Sequence, residues 1–394
     1  MKILILSDIH CLSAALKNSN AYSGTTGGSF YIEHRDSDQN LILGVADTIR
    51  QHAGKINALL CVGDIAHQSQ ALPLMVAWND INQLAQELSI PHVLAVTGNH
   101  DVNSRISNID DAIERIDFLR TMRPRYPISD EPSASRYFSD GVTFADIENT
   151  RIILVDTTKT HGMGGTPEAA KAIFAKGEIT AAMKQNILSY AKSAKSDHVV
   201  IAMHHHPKRI DEVQDKDYDE IPLGANLLQE LSTTGKTCIV IHGHKHFVNF
   251  GHLTPDARSP FIFSAASFAA YPYPEQSLHF ANQFHIVDID TNVINFPTGK
   301  ILSWSKNGTK WVKSEKPEMP HEVRFGAPID YSLLAEKVDK LNFESSIFFE
   351  AAAKQVPGLN DLSPSCKEPF QETLYERDLS LVFARGMYQK FCRM

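Results

Sequence analysis

His92-Val93-Leu94-Ala95-Val96-Thr97-Gly98-Asn99-His100-Asp101 decides how the rest of the chain is read. Its apolar first half reads as a buried strand, and Gly98 lets the backbone turn sharply after it. Polar groups just past a strand's carboxyl end sit where open α/β sheets bind ligands. Asn99 offers an amide oxygen, His100 an imidazole and Asp101 a carboxylate. An oxygen donor beside a proton shuttle and its orienting acid suits a hydrolytic metal site. A plain polar turn would look the same, so the reading depends on whether other strands bring matching side chains to this edge.

Four other apolar runs end in the same way. Residues 2–7 run into Asp8-Ile9-His10, whose outer members share one side of an extended end. Residues 56–62 run into Gly63-Asp64-Ile65-Ala66-His67, residues 199–203 into His204-His205-His206-Pro207, and residues 237–241 into His242-Gly243-His244-Lys245-His246. One such Asp is ordinarily a helix cap, and one such His a rim residue. Five strand ends in one chain, each with a ligand-type side chain, are hard to explain that way. Mixed Asp, Asn and His ligation suits borderline divalent transition-metal ions such as Mn²⁺, Fe²⁺ or Zn²⁺. No cysteine lies at these ends, which argues against a structural zinc site. The seven donors Asp8, His10, Asp64, Asn99, His204, His244 and His246 are too many for one catalytic ion with open positions. They suit two ions roughly 3.5–4 Å apart that share a carboxylate, for which Asp64 is the natural bridge. Two such cations clamp a phosphate and lower the pKa of a bound water.

The segments between these ends fit an α/β architecture. Residues 41–52 and 70–88 have helical periodicity, so βα repeats follow one another within the first hundred residues and predict a mostly parallel, layered sheet. Residues 11–38 form a polar connection with Gly24, Gly27, Gly28, Phe30, Tyr31, His34 and Arg35. It reads as a flap whose aromatics could stack a base, or as a surface insertion. Residues 109–122 read as a helix, followed by a basic, proline-containing stretch from Arg120 to Arg136. Residues 142–147 and 151–156 read as adjacent strands, and Pro167 opens a helix reaching about Lys195. An acidic loop spans residues 211–220, and residues 222–231 read as a helix. Strands at 261–263, 284–289, 301–304 and 311–312 read as hairpins of a second sheet. The catalytic region is thus expected over 1–316, followed by a helical extension, 317–394, whose last helix covers 370–391.

The net charge of −8 supplies no global basic field to draw the chain to nucleic acid or anionic lipid. No stretch is a transmembrane candidate, and Ile3-Leu4-Ile5-Leu6 meets Asp8 too early for a signal peptide. The five scattered cysteines fit reduced thiols and a cytoplasmic location, with Cys61 and Cys238 read as core fillers.

Asp8-x-His10, Gly63-Asp64, Gly98-Asn99-His100-Asp101, a strand-ending His204 and Gly243-His244-x-His246 together resemble, in order and spacing, the signature of the calcineurin-like metallophosphoesterase family over about residues 1 to 290. The resemblance implies a four-layer α-β-β-α sandwich with a dinuclear centre. It implies that Asp8, His10, Asp64 and His246 hold one ion, and Asp64, Asn99, His204 and His244 the other. His100, steadied by Asp101, would then protonate the leaving oxygen or bind the phosphate. The Gly-Asp-Ile-Ala and His-His-His-Pro details are most similar to the cyclic-nucleotide phosphodiesterase branch. His204 directly ends its strand, whereas His205 lies two before Pro207; strand continuity favours His204.

The expected substrate is therefore a phosphate ester, and a diester such as a cyclic nucleotide ahead of a monoester. A nuclease is the rival enzyme. The acidic loop and net charge count against a long polyanion, and the basic stretch with Lys300, Lys306, Lys310 and Lys313 counts weakly for it. A partner-binding scaffold on the same fold should have lost ligands, and none is missing here. The extension could serve oligomerisation or a protein partner.

Overall fold

The computed structural model describes residues 1–17, 29–33, 40–50, 54–104, 116–162, 166–209, 220–254, 259–271, 281–294, 296–316, 319–326, 329–362, 367–384 and 387–394. Two sheets face each other. In the first, β1 (Lys2–Leu6), β2 (Ala58–Cys61) and β3 (His92–Ala95) run parallel. Their continuous apolar runs are what a strand covered on both faces requires. The second sheet begins with β4 (Val142–Ile147), which pairs antiparallel with β5 (Thr150–Val155). Parallel β6 (His198–Ala202) and β7 (Thr237–His242) follow, and then β9 (Phe261–Ser264) with β8 (Asn249–His252) at the edge.

The alternation of side chains along β5, β6 and β7 builds the layers. Ile152, Leu154, Val200, Ala202, Ile239 and Ile241 join the central core shared with the first sheet. Their neighbours Ile153, Val155, Val199, Ile201, Cys238 and Val240 pack outward, beneath helices Ala181–Ser193 and Gly224–Ser232. Against the first sheet, helices Gly44–Arg50 and Ala71–Glu87 bury Val45, Ile49, Leu74, Trp78, Ile81 and Leu84. The result is an α-β-β-α sandwich. Cys61 and Cys238 are buried core residues.

Several expectations need correction. The late strands do not form a sheet of their own. β9 joins the second sheet, whereas β10 (Gln283–Ile289), β11 (Gly299–Asn307) and β12 (Lys310–Lys313) extend the first sheet antiparallel from β1. After a short hairpin of β13 (Glu315–Lys316) and β14 (Met319–Pro320), β15 (Glu322–Phe325) also pairs with β11, so the sandwich continues past residue 316. The helix expected from Pro167 to Lys195 is two helices, Pro167–Lys176 and Ala181–Ser193. Gly177, at φ +65°, breaks them, and a Cβ there would collide with the ring of His205. The basic stretch contains helix Glu131–Asp140, capped by the Asp130 side chain accepting from Ser133 N–H.

The C-terminal segment is not purely helical. After helix Lys367–Tyr375, β17 (Leu379–Ala384) and β18 (Met387–Arg393) form a hairpin that β16 (Ser346–Phe348) extends. Together with helices Tyr331–Asp339 and Phe349–Gln355 they enclose a separate core of Leu334, Val338, Leu359, Phe370, Leu374, Leu379 and Phe391. Residues 109–115 of an expected helix lie outside the described residues, as do Gly24, Gly27, Gly28, His34, Arg35 and residues 211–219.

Candidate metal centre

The pairing of β1 with β2 persists beyond their ends. Asp8 N–H donates to Gly63 O (3.1 Å) and His10 N–H to Asp64 O (2.9 Å). The same continuation joins β6 to β7, where Gly243 N–H donates to His204 O (3.1 Å). The sheets are stitched together here. His204 Nδ1–H donates to Val62 O at 2.8 Å, and His244 N–H reaches both Asp8 carboxylate oxygens at 3.2 Å. Asp8, His10, Asp64, His244 and His246 take φ of +50°, +49°, +52°, +79° and +58°. Left-handed backbone is sparsely populated by such residues and persists where the surroundings over-determine it. Gly98 permits a close approach: a Cβ there would collide with Asp64 N and Oδ1.

The seven expected donors gather in two groups, and His10 also lies with His67 and His100 in a third set of closely spaced ligand atoms. In one, His10 Nε2 lies 3.0 Å from His246 Nε2 and 3.4 Å from Asp64 Oδ2, and His246 Nε2 lies 3.5 Å from Asp8 Oδ1. In the other, His204 Nε2 lies 2.9 Å from Asn99 Oδ1 and 3.3 Å from Asp64 Oδ2, and His244 Nδ1 lies 3.0 Å from Asn99 Oδ1. Donors bound at 2.0–2.2 Å around one tetrahedral cation stand about 3.3 Å apart, so these separations fit a divalent ion in each group. Asp8, Asp64 and His204 are at most 1% exposed. Carboxylates so deeply buried need cationic partners. Burial works against the Asp64 charge, yet His204 and then His100 hold its carboxyl well below the usual range. Burial also opposes charge on His204, which the Asp64 carboxylate nonetheless raises to about 9.

His204 reaches Asn99 and Asp64. His205 turns away, with Nδ1 2.8 Å from Thr157 Oγ1 and Nε2 3.3 Å from Phe174 O. The half-buried His100 donates its backbone N–H to Asp64 Oδ1 (2.7 Å), and its ring Nδ1 accepts from Gln68 N–H (3.4 Å).

Asp101 does not steady the His100 ring, contrary to expectation. Its carboxylate accepts from Ala66 N–H and Gly98 N–H, both at 2.9 Å, and so holds the ends of β2 and β3 together. Burial, and then the charge of Asp64, pushes its pKa to about 7. Tyr31 cannot stack a base either, because it is buried with its hydroxyl held by Asn40 Oδ1 (3.2 Å) and Asp80. Phe30 is exposed, edge-on to Tyr271 and beneath Lys306 Nζ. One neighbour escaped the sequence reading. His67, 3% exposed, stacks on His100 and places Nδ1 3.4 Å from His10 Nδ1. Its signal was position alone, three residues past a donor on the same loop.

A sandwich whose strand ends gather imidazoles, carboxylates and an amide around two candidate cation positions defines a class of metal-dependent hydrolase. The family model for calcineurin-like phosphoesterases matches residues 1–248, and the chain belongs to that family of phosphoric ester hydrolases. Among solved structures it is similar to a dimetal phosphatase from Danio rerio, at 12% identity, covering 79% of this chain and 98% of that one with a TM-score of 0.47. It is also similar to the purple acid phosphatase PPD1 from yellow lupin (Lupinus luteus), at 11% identity, 78% and 51% coverage and a TM-score of 0.45. A 5'-nucleotidase precursor from Thermus thermophilus aligns at 9% identity, 74% and 52% coverage and a TM-score of 0.36. No curated protein matches the chain. Among the described residues, no helix is long and apolar enough to cross a membrane.

Proposed function

We propose that the chain is a dinuclear metal-dependent phosphoesterase that hydrolyses phosphodiesters, such as a cyclic nucleotide, in preference to monoesters. Asp8, His10, Asp64 and His246 would hold one ion, and Asp64, Asn99, His204 and His244 the other. One observation carries this reading: a single oxygen, Asp64 Oδ2, lies 3.4 Å from His10 Nε2 and 3.3 Å from His204 Nε2, and so serves both donor groups. Divalent ions in such a pair neutralise phosphate charge and make a water acidic enough to attack at neutral pH.

The chain's own residues supply the remaining chemistry. His100 is needed by neither donor group and sits half-buried beside the shared carboxylate. With Nδ1 accepting from Gln68 N–H, Nε2 carries the ring's proton and can hydrogen-bond the phosphate; as the imidazolium, with Nδ1 protonated in place of that contact, the ring would give its Nε2 proton to the leaving oxygen and return to neutral. Asp101 acts through the backbone by fixing Gly98, and with it the turn that presents Asn99 and His100.

The preference for a diester rests on charge. A monoester's extra charge calls for guanidinium or ammonium groups around its terminal oxygens. The two donor groups consist of carboxylates, imidazoles and one amide; of the cations near them, Lys208, just past the histidine run, is exposed, and Lys245, between His244 and His246, is a single half-buried ammonium. The test compares kcat/KM for bis-nitrophenyl phosphate and a cyclic nucleotide with that for nitrophenyl phosphate, at matched metal and pH. Higher values on the diesters are expected, and equal or better turnover of the monoester refutes the preference. Rapid cleavage of DNA without cyclic-nucleotide activity would instead make the chain a nuclease.

A further inference from the structure

We propose that His67 positions His10: its Nδ1 lone pair accepts the Nδ1–H of His10 and fixes which nitrogen His10 turns toward the metal centre. The inference rests on the dinuclear reading above, but its geometry stands apart from it. A ligating imidazole has a second nitrogen, and the partner of that nitrogen sets tautomer and ring orientation. His204 turns Nε2 inward and donates Nδ1–H to Val62 O at 2.8 Å. His244 turns Nδ1 inward and donates Nε2–H to Ala175 O at 2.9 Å. Both partners are backbone carbonyls, which can only accept.

His10 is built differently. Its Nε2 faces His246 and Asp64, and its Nδ1 faces another imidazole, with His67 Nδ1 at 3.4 Å. Two ring nitrogens in contact pair only when one carries hydrogen and the other a lone pair. A His10 that offers its Nε2 lone pair inward carries its proton on Nδ1. His67 Nδ1 is therefore the acceptor, and the His67 proton sits on Nε2. His67 is held for this task. It is buried, its backbone N–H donates to Cys11 O (3.0 Å), and its ring stacks on His100 at 5.2 Å with planes 20° apart. The same residue thus braces the orientation of one donor and the packing of the proposed proton donor.

Two substitutions separate the acceptor from the ring. His67→Phe keeps a ring to stack on His100 and removes the lone pair, whereas His67→Asn puts an amide oxygen near the place of Nδ1. Zn²⁺ affinity is read by competition with a chromophoric chelator. We expect His67→Phe to weaken one of the two ions about 10–100-fold and leave the other unchanged, with His67→Asn near wild type. Excess metal should restore the kcat of His67→Phe. Unchanged affinity in His67→Phe, or equal loss in both variants, overturns the proposal. So does a third bound ion that only His67→Phe loses, because His67 would then be a ligand. Fewer than two ions on the wild-type chain would sink the dinuclear reading instead. Nitrogen-15 spectra of the histidine rings in the unsubstituted, metal-free chain then still decide the case. Protons on His10 Nδ1 and His67 Nε2 are expected, and the reverse arrangement overturns it.

Discussion

At the edge where β1, β2, β3, β6 and β7 end, the buried groups are Asp8, Asp64, Asn99, His204 and His246; in the lobe from Ile329 to Met394 they are Leu334, Val338, Phe370, Leu374 and Phe391. The edge is assembled from both sheets and from residues 236 positions apart, such as Asp8 and His244. The lobe closes its core within some sixty residues and leaves Phe348 and Tyr375 exposed. Every candidate donor precedes residue 247. Polar burial of the kind seen at the edge is costly unless partners are supplied. Apolar burial in the lobe is favourable in itself. One region therefore gives up stability to gather polar groups, and the other gains stability by gathering apolar ones.

The sharpest way to break this contrast is at the shared carboxylate. Asp64→Ala should lose both ions by elemental analysis and all measurable hydrolysis, since it removes the oxygen common to both groups. Retention of two ions would end the bridging assignment. His100→Ala should keep both ions yet lose roughly 10²–10⁴-fold in kcat. That loss should shrink on substrates with a nitrophenol leaving group, which needs no proton. Metal loss alongside a uniform rate loss would make His100 a structural ligand.

The lobe should answer in the opposite way. Phe391→Ala empties a fully buried site beside Phe349 and Phe370 and should cost about 3–5 kcal/mol of the lobe's stability in urea unfolding. Its kcat/KM and metal content should stay at wild-type values. A chain ending at Gly326 keeps β15 on β11 and should remain metal-loaded and active, and a folded, loaded but inactive truncation would show that the lobe helps build the site.

The smallest effect belongs to a histidine in the core. His285 is buried, bonded to Ser303 Oγ and Ala266 N–H, and burial pushes its pKa down to about 3. The unfolded chain takes up a proton near pH 6.5 and the folded chain does not, so this residue contributes an acid sensitivity that sets in as pH falls below 6.5. From pH 7 to 5 that amounts to about 2 kcal/mol, which His285→Asn should remove from the change in unfolding midpoint.

The same contrast separates what could be read in the sequence from what could not. The gathering of the edge was legible because its residues recur in a fixed grammar, an apolar run followed by Asp, Asn or His, and five repetitions are hard to explain as helix caps. What that grammar omits is direction. It paired Asp101 with His100 as sequence neighbours, whereas the turn at Gly98 points the carboxylate back at Ala66 N–H and Gly98 N–H. It also passed over His67, whose role exists only in three dimensions. In the lobe, residues 370–391 read as one helix because short apolar runs do not distinguish helix from strand. The pairing of β17 with β18 decides the matter, and no local signal carries it. The break at Gly177 was hidden likewise, because its cause is a histidine ring from β6's end.

The left-handed backbone at Asp8, His10, Asp64, His244 and His246 has a consequence for the life history of the molecule. Hydrogen bonds such as Asp8 N–H to Gly63 O and His10 N–H to Asp64 O shape that backbone, and no ion takes part in them. The turns that present the donors are thus held in part by the chain's own amides. Affinities of mixed Asp, Asn and His donors for first-row divalent metals generally follow a common order, so geometry and metal availability settle which ion is held. Where that geometry admits several ions, supply would decide occupancy. The same chain produced in manganese-rich and in zinc-rich medium should emerge with different ions and different rates, identical in fold and distinct as a catalyst.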